Sequence, residues 1–222
     1  MTVVSARDEV VIEATDKKAF ASMLEWPGWS RSAKREDGAI ETLLAYAPRY
    51  QPVIEFAGLK KLPTSVTVVD RLPGGGATSF GVPDKVHAIE YEPIEAKELA
   101  RQVELLKACW TFFDEVTDTV SAELRKGPRG GGRDRDKIVA HVVEADRTYA
   151  RQLGVRTPPY DVFDRAARSA HFDAVIAAMP DRADGHVEGK GWPLRYVIRR
   201  MAWHILDHAW EMQDKDLTGE EK

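Results

Sequence analysis

The spacing of hydrophobic positions along the chain changes character near residue 90. Before that point the apolar runs are short and rich in β-branched residues. VVIEA, from Val10 to Ala14, reads as a strand. AFASMLEW, the turn-forming pair Pro27-Gly28 and WSRSAK together predict a hairpin. In REDGAIETLLAYAPRYQPVIEFAG, Ile40, Leu43, Leu44 and Ala47 fall at helical spacing. Pro48 and Pro52 should end or kink that helix, and Gly58 closes it. TSVTVVDRL alternates as a strand does and stops at LPGGG, a turn or flexible connector.

After PIEAKEL the pattern is helical. Leu99, Val103, Leu106, Trp110, Phe113, Val120 and Leu124 mark one long amphipathic helix, broken by GPRGGGR. Asp134 is placed to cap a second helix through DKIVAHVVEADRTYARQLG, with Gly154 at its end. A third helix opens after the prolines of TPPYDVFDRAARSAHFDAVIAAMP and stops at Pro180. The fourth is WPLRYVIRRMAWHILDHAWEMQDK, with Pro193 allowed in its first turn. The expected fold is therefore an α+β N-terminal unit over residues 1–90, followed over 91–222 by an all-α four-helix up-down bundle.

Composition narrows the function classes. The 222 residues are 43% hydrophobic and 31% charged, enough apolar material for a core. A formal net charge of −4 gives no basic surface for nucleic acid, so none is expected as a partner. No apolar run approaches the ~20 residues of a membrane span. The N-terminal MTVVSARDEVVIEA lacks a signal-peptide layout, and the single cysteine, Cys109, suits a reducing cytoplasm. Cys109 sits in the apolar pattern LLKACWTFF, where it reads as core filler.

The candidate chemistry lies in the histidines. On the fourth helix Leu194, Val197, Ile198, Met201, Ile205 and Met212 form one apolar sector, with His208 inside it and His204 at its margin. Residues at i and i+4 sit one above the other, so these two imidazoles can reach a single ion. On the second helix His141 shares a stripe with Ile138, Val142, Ala145 and Tyr149, which turns it inward as well. Burying three unpartnered imidazoles would cost ~1–3 kcal/mol each, and a divalent cation removes that cost. The alternative is that each ring meets a carbonyl or an acid such as Glu144 or Asp207. His87, His171 and His186 lie off this pattern and read as surface or structural residues, with His186 the best placed to border a pocket.

AHVVEADRTYARQLG, followed by YVIRRMAWHILDHAWEMQD, resembles the DinB/YfiT-like superfamily of four-helix-bundle proteins, related to the metal-binding domain of mycothiol-dependent maleylpyruvate isomerase. The likeness covers about Pro93 to Lys215. It implies a divalent metal, zinc or nickel, held by His141, His204 and His208, with one coordination position open. It further implies activation of a low-molecular-weight thiol for S-transfer or isomerisation of a small-molecule substrate, and often a homodimer. Glu144 and Asp207, each one turn from a histidine, are candidates for proton transfer or for holding a ligand ring. Arg195 and Arg200 are the nearest basic candidates for reading a thiol cofactor. From Val10 to Leu62 the strands, the LEWPGW turn and the helix REDGAIETLLAYAP resemble the HicB-type antitoxin fold, which implies a binding or oligomerisation module. The competing reading of the whole chain is a non-catalytic, metal-stabilised interaction protein. Tyr196, Trp203 and Trp210, seven residues apart and opposite the apolar sector, predict a covered surface: another helix, the N-terminal unit or a second subunit.

Overall fold

A computed structural model describes residues 8–219 except 129, 188 and 190. The N-terminal part holds a mixed four-stranded sheet of β1 (Glu9–Ala14), β2 (Ala19–Met23), β3 (Ser30–Ala33) and β4 (Thr67–Pro73), in the order β3-β2-β1-β4. β1 pairs antiparallel with β2, and β2 with β3, so the expected hairpin is present. β4 runs parallel to β1, and the crossover this demands is made by α1 (Glu36–Ala45) and α2 (Ala47–Phe56). The predicted single helix thus breaks at Tyr46. Pro48 sits in the first turn of α2, and Pro52 remains within it. The LPGGG connector gives way to a short helix, α3 (Gly76–Phe80), where a plain turn was expected. Buried Glu13 organises this stretch by accepting the Thr78 hydroxyl and the amides of Asp84 and Lys85.

The remaining α-helices among the described residues are α4 (Ala96–Thr119), α5 (Arg135–Ala150), α6 (Arg165–Ala178) and α7 (Leu194–Asp214). α5 passes through a 3-10 turn to Gly154, whose positive φ ends it as expected. α6 opens on Asp164, whose carboxylate accepts the amides of Ala166 and Ala167. α4 stops eight residues short of the glycine-rich breaker. Val120 is already extended, and Leu124 is 1% exposed in a bridge to Asp216, so both stay in the core without helix. The Asp216 carboxylate takes the Ser121 amide, and the C-terminal end thereby competes successfully for this segment. Among the described residues no helix is long and apolar enough to cross a membrane.

α7 is the common partner. It packs along α4 and α5, and its other side meets the N-terminal part. Of the aromatic line, Trp210 lands there: it is 1% exposed, edge-on to Tyr46 at 5.2 Å and under the Arg31 guanidinium at 4.8 Å. Tyr196 meets Trp192 at 4.9 Å, and Trp203 lies under Arg200, which donates to the carbonyl of Pro83. Arg199 and Glu90, both buried, form a two-point ion pair at 2.7 and 2.9 Å that ties the 3-10 turn Ala88–Tyr91 to α7. The LEWPGW turn is equally committed. Trp29 stacks on Tyr50 at 5.3 Å and donates to the Leu43 carbonyl, while the Tyr50 hydroxyl donates to Pro27. Cys109 is buried within the same core, as filler.

Gly28 brings this turn against α7. Its φ is +87°, and an added Cβ would lie 2.7 Å from Leu206 Cδ1 and 2.9 Å from the Ala202 carbonyl oxygen. Gly28→Ala should therefore lower the urea midpoint by an amount equivalent to at least ~2 kcal/mol, through both left-handed strain and backbone overlap.

Candidate metal centre

The three predicted histidines meet in space. Inward positions on α5 and α7 bring one nitrogen each from His141, His204 and His208 within 4.8 Å of one another. Ring centroids stand 5.0 Å apart for His141 and His204, 4.9 Å for His141 and His208, and 4.7 Å for His204 and His208. Nε2 of His204 lies 3.2 Å from Nε2 of His141. His204 is 8% exposed and flanked by the rings of Tyr149 and Trp203. His141 and His208 are half-buried, so the cluster opens on their side.

Electrostatics keep the deepest ring neutral. Burial, reinforced by the two neighbouring imidazoles, pushes the His204 pKa from 6.5 down to about 2. Burial also lowers that of His141, with His208 and Arg133 acting in the same direction. Neutral imidazole is the form that binds a metal.

The carboxylate at the cluster is Glu211, which sequence reasoning missed. Its Oε2 is 2.7 Å from His208 Nδ1, and Lys215 holds its other oxygen at 2.6 Å. The hydrogen bond from His208, aided by Lys215, holds the Glu211 carboxyl down at about 2 against its burial. An ionised carboxylate only accepts, so Nδ1 of His208 is the donor to Glu211, and Nε2 is the nitrogen turned to the cluster as the ligand atom of the neutral ring. The one signal for this in the sequence is the i, i+3 spacing of His208 and Glu211.

The two acids proposed from sequence are engaged elsewhere. Glu144 is exposed and pairs with Arg147 at 2.9 Å. Asp207, one turn from His204, is taken by Arg31 of β3. Neither contacts an imidazole of the cluster. Arg195 donates to the Pro93 carbonyl and faces the Glu25 carboxylate at 3.7 Å, and Arg200 donates to the Pro83 carbonyl. His87 pairs with Asp70, His186 is exposed, and His171 is buried in a different place.

The donor set fits a divalent cation. Three nitrogen ligands from two helices suit zinc-type coordination with bonds of ~2.0–2.1 Å, and the 3.2 Å separation of two donors suits shared ligation. Three protein ligands leave a further position for a small molecule. No family model, curated protein or solved structure matches the chain.

Glu211→Gln should weaken metal affinity by ~10–100-fold, whereas Glu144→Gln should leave it unchanged in the same titration. A second expectation concerns pH. His204 has a folded pKa below its unfolded value of 6.5, so between pH 6.5 and about 2 the unfolded chain binds more protons at this position. Its contribution to stability is present above 6.5 and lost as pH falls. The metal-free His204→Asn variant should therefore lose less stability than wild type between about pH 7 and about pH 5, measured by urea unfolding.

Proposed function

We propose that the protein is a metal-dependent enzyme of the DinB-like kind, in which α4 to α7 form an up-down four-helix bundle and His141, His204 and His208 hold zinc or nickel. The observation that carries this reading is the convergence of three imidazole nitrogens within 4.8 Å, with Glu211 fixing the tautomer of one of them. A bound cation would supply a Lewis-acid position at which a thiol or water is held in its ionised form near neutral pH.

The chain's own residues do the rest. His204 stays neutral because burial denies it a proton, which leaves its nitrogen free to ligate. Glu211 accepts the Nδ1 proton of His208 and keeps that ring from turning away. Trp203 and Tyr149 exclude water behind His204, so substrate approaches past His141 and His208. The proposed reaction is S-transfer or isomerisation with a low-molecular-weight thiol as co-substrate.

Metal analysis of untagged protein and assay of a panel of thiols with a common electrophile test this together. Wild type should hold about one equivalent of metal and turn over with at least one thiol. His204→Ala should keep its fold by circular dichroism yet retain below about a tenth of the metal, and turnover should vanish with it. Unchanged metal content in His204→Ala would refute the ligation. Metal-loaded protein inactive with every thiol would leave a non-catalytic binding role.

A further inference from the structure

A second constellation lies ~140° round α5 from His141. There α4, α5 and α6 enclose a cavity of about 290 Å³ that none of the three clustered histidines lines. At its floor are Asp146 of α5 and His171 of α6, 3% and 4% exposed. Asp146 Oδ2 stands 3.5 Å from His171 Nε2. Neither Asp146 oxygen nor that nitrogen has a hydrogen-bond partner among the described residues. His171 Nδ1 is satisfied by the Thr157 hydroxyl at 2.9 Å.

The walls are aromatic. Trp110 and Phe172 meet edge-on at 5.7 Å, and Tyr160 tilts over His171 at 5.9 Å. Half-buried Arg168 is committed to Asp114 at 2.6 Å. Its Nε and the indole Nε1 of Trp110 remain as unpartnered donors. A buried carboxylate with no hydrogen bond on one oxygen and only the His171 ring 3.5 Å from the other is costly, and burial raises the Asp146 pKa against the opposing pull of His171. Purely structural buried carboxylates are normally hydrogen-bonded. Two acceptor oxygens side by side match a planar fork of two N–H donors. The aromatic walls take the face of a flat ring. The volume is near the lower end of the ~300–1,000 Å³ usual for small-molecule pockets, which limits the occupant to one or two rings.

We propose that this cavity binds a small flat aromatic cation with two adjacent N–H donors on one edge, as in an aromatic amidinium or a ring-protonated aminopyrimidine. The donors meet the two oxygens of Asp146, and the ring lies among Trp110, Tyr160 and Phe172. Trp110 Nε1 and Arg168 Nε are placed to donate to an acceptor on the same ring.

Benzamidine is the probe, and benzamide, with the same shape but only one donor group, is the control. Both are titrated into the full chain by calorimetry, with the Trp110 indole N–H resonance, assigned through Trp110→Phe, as the local reporter. Benzamidine should bind saturably and shift that resonance, and benzamide should bind at least about tenfold more weakly. Asp146→Asn should weaken benzamidine by a similar factor. Ser169→Trp, on the exposed rim, should block entry without touching the buried pair, and it decides the matter alone should Asp146→Asn not fold. An unmoved Trp110 resonance, equal binding of benzamide, or benzamidine binding that survives Ser169→Trp would overturn the assignment.

Discussion

α7 is enclosed on nearly every side, and a helix so placed must have its charged groups paired inside the protein. Fourteen of its residues are buried, among them Arg199 and His204. Removing one partner of a buried pair costs far more than the pair contributes, so such pairs fix geometry more than they add stability. Arg199 with Glu90 and Asp207 with Arg31 reach α7 from other elements and set the rotation of the helix about its axis, while Glu211 with His208 and Lys215 acts within the helix and fixes the His208 ring. That rotation decides whether His204 and His208 face His141.

The same enclosure explains why His204 is neutral. Its neighbours are aromatic rings and other imidazoles, and no carboxylate reaches it directly. The negative charge stands one residue further out, on Glu211, where it restrains His208 and is itself balanced by Lys215. The cluster thus grades from dry and uncharged at its base to polar at its opening.

Much of this was legible in the sequence. The i, i+4 spacing of His204 and His208 and the stripe carrying His141 depend only on helical periodicity, and local pattern fixes that well. The β-branched strands and the PG turn were equally plain. The choice of carboxylate was not, because Asp207 and Glu211 each lie three residues after a histidine. A contact from β3, 176 residues away, takes Asp207 and leaves Glu211 as the partner of the cluster. The end of α4 was obscured for a similar reason. Val120 and Leu124 keep helical spacing, yet they are buried from an extended segment held by Asp216. Non-local competition of this kind has no local signature.

The grip of Arg31 on Asp207 has a consequence for how the chain divides. Asp207 sits between two of the clustered histidines, and the hand that steadies it belongs to the first sheet. That sheet acts as a splint for the helix beyond it. A fragment cut away near residue 90 would inherit all three imidazoles and lose the brace that sets their bearing.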